Sequence, residues 1–308
     1  MRIKTSVLAI LLVAALLVPL FGQPYYTKLV VRMAIFALAA MSLDLIVGYA
    51  GLVSFGHAAF FGLGCYAAGV LPMAGIQQAI IIFPAAGLLA GIVGVVTGAV
   101  SLRASGLYFI FITLAFAQMM FYIAQGMRPL SGDDGFRLPA PTLLGDLALT
   151  NPNVLLYFTV ALLVVCTWLC HRLTQSHFGQ VVQAARDNPM KLAAIGLPAY
   201  PYRLVLYTVA CAIAGLAGAA YANLTEFIAP TAMSWVMSGE LLFMVILGAV
   251  GTLIGPVIGA AVFVGLEQIL SGYTDHWLFP LGVILVLRVL LFHQGRPTFW
   301  IPRAARNP

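Results

Sequence analysis

The chain has 308 residues, of which 62% are hydrophobic and only 8% are charged, against about 25% charged in an ordinary soluble domain. Nine acids and fifteen bases cannot coat a globule of this size, so a water-soluble fold is excluded and a membrane protein is implied. The formal charge of +6 comes from basic residues scattered singly at the ends of apolar runs; they orient a membrane protein and do not form the patch a nucleic acid needs.

Apolar segments are predicted, in chain order, at 5–22, 29–48, 52–71, 79–101, 107–125, 153–171, 204–223, 240–255, 257–272 and 277–294. The first follows Arg2 and Lys4 as a signal peptide would. With no small-x-small cleavage site before Gln23 and Pro24, it reads as a retained span. The implied fold class is all-α, a polytopic transmembrane helical bundle of about ten segments forming a single domain over 1–308. Segments 52–71 and 240–255 are open to being broken or re-entrant. Placing the N-terminus inside leaves only Lys28, Arg32, Arg128 and Arg137 outside and the other eleven basic residues inside, so both termini are expected to be cytoplasmic.

The third segment lies in "GYAGLVSFGHAAFFGLGCYAAG" (48–69), where six of twenty-two residues are glycine and none is formally charged. Regular four-residue glycine spacing elsewhere (Gly251, Gly255, Gly259; Gly87, Gly91; Gly94, Gly98) predicts close helix packing. Gly48, Gly51, Gly56, Gly62 and Gly64 share no single face, so this stretch is expected to break, and an opened turn must line a cavity or be buried in protein. A faint repeat supports the idea: Gly48-x-x-Gly51 then Gly56 resembles Gly248-x-x-Gly251 then Gly255, with Ser54 and Thr252 nearby. Paired glycine-interrupted segments point to a pathway at the repeat interface.

Acids in or beside apolar runs are Asp44, Glu226, Glu240 and Glu267; an ionisable group in the bilayer is costly and marks function. The candidate pathway residues are Asp44, Gly51, Ser54, His57, Glu240 and Thr252. Ser54 and His57 also raise a hydrolytic dyad, but "GLVSFG" is not a G-x-S-x-G elbow and no third orienting group is evident. They are expected to hydrogen-bond across helices or to opened backbone. Cys65, Cys166, Cys170 and Cys211 read as buried free thiols; a metal site at Cys166, Cys170 and His171 is the lesser alternative.

Two loops are long. Residues 126–152, rich in Gly, Pro and Asp, are expected outside, capping a pathway mouth or meeting an external partner. Residues 172–203 are expected inside. There Asn188 suits a helix cap, Pro189 the first helical position and Gly196 a left-handed stop, leaving about two turns with Leu192 and Ile195 on one face. This reads as a docking element, the alternative being an amphipathic helix in the headgroups. No G-x-x-x-x-G-K-[ST] motif occurs, so ATP chemistry must come from elsewhere.

Four ordered blocks, "LDLIVGYAGLVSFGHAAFFGLGCYAAG" (43–69), "LRASGLYFIFITLAFAQM" (102–119), "FGQVVQAARDNPMKLAAIGLPAYPYRLVLYTVACAIAGLAGAAYA" (178–222) and "SGELLFMVILGAVGTLIGPVIGAAVFVGLEQIL" (238–270), resemble the permease subunits of branched-chain amino-acid ABC importers of the LivM type. The resemblance implies a non-catalytic subunit of the inner membrane. Its expected partners are a second homologous permease, two cytoplasmic ATPases and a periplasmic binding protein. ATP and Mg would be used by the ATPases, and this chain would hold no cofactor. The resemblance makes 178–197 the segment that contacts an ATPase, with Gly179, Arg186, Asn188, Pro189, Leu192, Ile195 and Gly196 as coupling residues. Closely similar permeases serve urea and short amides. A secondary transporter or channel using Asp44 or Glu240 is the reading from another class.

Overall fold

The computed structural model describes Pro19, residues 23–127, 132–274, His276 and residues 278–292. Apart from Pro19, the predicted span 5–22 lies outside the described residues, as do both chain ends on which the sidedness of the termini rests. Among the described residues there are eleven α-helices: α1 (Pro24–Asp44), α2 (His57–Met73), α3 (Ala79–Ser101), α4 (Leu107–Gly126), α5 (Pro152–Gln175), α6 (His177–Asp187), α7 (Pro189–Ala194), α8 (Ala199–Thr225), α9 (Trp235–Gly248), α10 (Gly255–Ser271) and α11 (Leu278–Phe292). Five are long and apolar enough to cross a membrane: α1 with its extension to Tyr49, α3, α4, α5 and α8.

The all-α expectation holds for the described residues, whose loops add four two-residue strands. The 126–152 loop carries β1 (Phe136–Arg137), β2 (Leu143–Leu144) and β3 (Leu147–Ala148), and β4 (Phe227–Ile228) follows α8. β1 pairs antiparallel with β4, and β2 with β3. Backbone N–H groups that leave a helix still need partners. Leu138 N–H accordingly donates to Glu226 O (2.9 Å) and Leu143 N–H to Gln77 O (2.7 Å).

The chain divides into two compact units, 1–262 and 263–308. The second holds the end of α10 and α11, both apolar. In the first, α8 packs on α3, α2 and α1, and α1 also packs on α5. Glycine makes these approaches close. A Cβ on Gly64 would strike the Gly215 backbone, one on Gly218 the Phe61 carbonyl, and one on Gly94 the Cys211 side chain. Small residues let membrane helices reach one another through dispersion, since lipid provides no hydrophobic drive. The Cys65 thiol donates to Gly218 O across the α2–α8 seam (3.1 Å), and all four cysteines are buried free thiols.

Two boundaries differ from expectation for one reason. Apolar content alone extended the third segment back to residue 52 and carried the eighth on to 255, whereas α2 begins at His57 and α9 ends at Gly248. Hydropathy does not register a left-handed glycine. Gly51 has φ +72 and Gly251 φ +79, each in a non-helical stretch that a helix cannot cross.

Candidate functional site

Both interruptions are real, and they meet. α1 passes into a π-turn at Leu45–Tyr49, residues 50–56 are non-helical, and α2 restarts at His57. α9 stops at Gly248, and α10 starts at Gly255. Asp44 is fully buried, and its Oδ1 accepts from the Gly251 backbone N–H at 2.8 Å. The backbone of Thr252 lies beside the same carboxyl, while the Thr252 hydroxyl donates to Ala249 O (2.8 Å). Gly48 is flush against Gly251: a Cβ there would meet the Gly251 backbone and the Asp44 carboxyl. A carboxylate at a helix break thus satisfies backbone that the break has freed, as a low-dielectric interior demands.

A third element reaches this junction. Arg186, near the end of α6, donates from Nη1 to Gly48 O (2.5 Å), and its Nε and Nη2 reach Asp187 Oδ1 (3.2 and 3.1 Å). Gly51 lies under the same side chain, since a Cβ on Gly51 would meet Arg186 Cγ. The structure therefore brings Asp44, Gly51, Thr252 and Arg186 together. Gly48 is the functional candidate that sequence reasoning left out of the site, although its place in the repeat was the signal for it.

Ser54 and His57 are fully buried as well. The Ser42 hydroxyl donates to Ala39 O (2.7 Å), which leaves its oxygen as an acceptor for His57 Nε2–H (2.8 Å). His57 Nδ1 is then a bare buried acceptor. Ser54 Oγ accepts from Gly56 N–H (3.3 Å), so the imidazole Nε2 engages Ser42 and not Ser54. The N–H of Ala58, in the first turn of α2, donates to Ser238 Oγ of α9 (3.1 Å). Glu240 is apart from the junction, lining a cavity formed by α2, α8 and the chain leading into α9.

The 172–203 loop folds as two helices, of which only the second was expected. Ser176 caps α6 by accepting from Gly179 N–H (3.3 Å), and α6 buries Gly179, Val182 and Ala185, a three-residue repeat on one face. Asn188 Oδ1 accepts from Lys191 N–H (3.0 Å), Pro189 opens α7, and Gly196 has φ +82 as the expected stop. The shared face of Leu192 and Ile195 is corrected. α7 ends at Ala194, so Ile195 turns away; Leu192 is buried, and the exposed apolar residues are Met190 (83%) and Ile195 (70%). Arg203 Nη2 donates to Ala185 O (2.7 Å), tying α6 to the start of α8.

Gly179 and Gly196 are predicted to respond unequally to substitution. A Cβ on Gly179 would strike the carbonyls of Leu173 and Thr174, whereas one on Gly196 has open space and costs only the left-handed conformation, roughly 1–2 kcal/mol. Gly179→Leu is expected to displace α6 and lower the thermal aggregation midpoint of the detergent-solubilised protein, and Gly196→Ala to leave it nearly unchanged.

Five membrane-length helices, one of them interrupted and pinned at its break to the break between α9 and α10, mark a multi-pass helical membrane protein. Residues 25–292 match the family described as branched-chain amino acid transport system / permease component, and the chain belongs to that family. It is similar to the high-affinity branched-chain amino acid transport system permease protein LivM of Escherichia coli strain K12, at 25% identity over 285 residues, covering 85% of this chain and 67% of the relative. The corresponding LivM of Salmonella typhimurium strain LT2 is 24% identical with the same coverage. No solved structure matches the chain. The resemblance read from the four sequence blocks is borne out.

Proposed function

We propose that this chain is a transmembrane permease subunit of an ATP-driven importer that moves branched-chain, hydrophobic amino acids from periplasm to cytoplasm across the inner membrane. In this reading 1–308 is one permease domain of about ten segments with cytoplasmic termini. It works beside a second homologous permease, two cytoplasmic ATPase subunits that use ATP and Mg, and a periplasmic binding protein. Residues 126–152 face the periplasm, and 172–203 form the cytoplasmic coupling loop.

One observation carries the mechanism: Arg186, in the loop assigned to ATPase coupling, holds the Gly48 carbonyl in the broken end of α1. Closure of the ATPase pair moves α6 and α7, Arg186 transmits the displacement to Gly48, and Gly48 moves with Gly251 against it. The pathway then switches from inward to outward opening. The test is uptake of leucine by proteoliposomes holding the complete complex. Uptake that needs internal ATP and survives a collapsed proton gradient supports the reading; uptake that follows the gradient and ignores ATP overturns it.

Asp44 separates this reading from ion-coupled transport. As an acceptor for Gly251 N–H, it is replaceable by a group that still accepts. Asp44→Asn is expected to keep most uptake, and Asp44→Ala, which strands a buried N–H at about 1–3 kcal/mol, to lose most of it. Equal loss in both variants, together with altered gradient dependence, is the result an ion-binding role demands.

A further inference from the structure

A cleft of about 820 Å³ lies where the 126–152 loop meets the end of α8, bordered by Arg137, Leu138, Pro141, Thr150, Glu226 and Phe227. Its volume falls within the roughly 300–1,000 Å³ of ligand sites. The two charged residues stand on fixed backbone. Arg137 lies opposite Phe227 in the β1–β4 pair, Leu138 N–H donates to Glu226 O (2.9 Å), and Glu226 N–H donates to Ala222 O (2.9 Å). The Thr225 hydroxyl closes the turn by donating to Phe227 O (2.8 Å). Glu226 itself ends α8 in the left-handed region, φ +55, where glycine or asparagine is the usual residue. Strained backbone of this kind persists only where its surroundings hold it, and it gathers at ligand clamps.

Opposite charges on neighbouring strands ordinarily pair with each other. Here, among the described residues, neither the Arg137 guanidinium nor the Glu226 carboxylate makes a hydrogen bond or ion pair. The cleft therefore presents a cation, an anion, the Thr150 hydroxyl and apolar surface from Leu138, Pro141 and the 44%-exposed Phe227. We propose that it is an entry station for a zwitterionic α-amino acid, with Arg137 on the carboxylate, Glu226 on the ammonium and Phe227 beside the aliphatic side chain. A guanidinium takes a carboxylate through two parallel N–H donors, and a carboxylate takes an ammonium as a charge-assisted acceptor. Both groups are exposed, so water and salt weaken each contact and binding is loose. A station that hands its ligand on needs no more. The station rests on the importer reading, in which this loop faces the periplasm, and adds a place where the permease itself meets its cargo. A neutral amide such as urea meets neither charge.

Leucine uptake by the complete wild-type complex in proteoliposomes tests the importer reading separately; its absence overturns that reading and the station with it. The station is tested by saturation-transfer NMR on the membrane complex in nanodiscs without the binding protein. The probes are leucine, isocaproate, which lacks the amine, and isoamylamine, which lacks the carboxylate. Glu226→Gln is expected to weaken leucine and isoamylamine at least about threefold and to leave isocaproate unchanged. Arg137→Gln is expected to weaken leucine and isocaproate by the same factor and to leave isoamylamine unchanged. A folding defect weakens all three probes alike and cannot give this crossed pattern. Wild-type leucine binding in both variants, equal loss of all three probes, or loss only of stimulation by the binding protein overturns the station while leaving the importer in place.

Discussion

On the importer reading proposed above, Arg186→Ala is expected to lower amino-acid uptake per ATP hydrolysed by about tenfold in proteoliposomes containing the full complex. A hydrogen bond from a charged donor is worth about 1.5–3 kcal/mol, and the Arg186 side chain is 37% exposed, so the smaller figure applies. Arg186→Lys should recover little. The guanidinium engages Gly48 O through one nitrogen and Asp187 Oδ1 through two others at the same time, and a single ammonium cannot reproduce that fork. Wild-type coupling in Arg186→Ala would show that motion reaches the broken end of α1 by another route.

The second large effect is on assembly. Gly64→Val or Gly218→Val places a branched side chain where the α2 and α8 backbones almost touch, and no side chain is present to yield. Overpacking typically costs 1–3 kcal/mol, and here whole helices must separate, so the upper end, about 3 kcal/mol, is expected. The midpoint of thermal aggregation of the detergent-solubilised protein should fall by several degrees, with a lower folded yield. Gly126→Val, at the end of α4 with nothing within 4 Å of its added Cβ, is the tolerated comparison.

Helix positions were legible where apolar length alone decided them: 79–101 coincides with α3, and 107–125 with α4 to within a residue. The break near Gly51 was legible from glycine that fits no single face. The structure gives the reason: Gly48 meets Gly251, Gly51 meets Arg186, Gly56 meets Thr113, Gly62 meets Met233 and Gly64 meets Gly215, a different neighbour on each side. The partner of Asp44 was not legible, because a hydrogen bond between residues 207 positions apart leaves no local pattern. Nor was α6, whose polar sequence hides a buried face of only three small or medium residues. Nor were the contacts of Ile228 and Met233 with Gly69 and Gly62 of α2, which join residues far apart in the chain through a stretch that holds a 3-10 turn at Pro230–Met233.

The two interrupted segments are joined at two separate points, Ala58 to Ser238 and Asp44 to Gly251, with Leu52, Val53 and Phe55 between them only partly buried. Two fixed points define an axle. Sliding one segment past the other breaks both bonds together, whereas turning about the line through them lengthens neither. Gly48, which Arg186 holds, packs on Gly251 at one end of that line, so a displacement of Arg186 reaches the junction at one of its two fixed points.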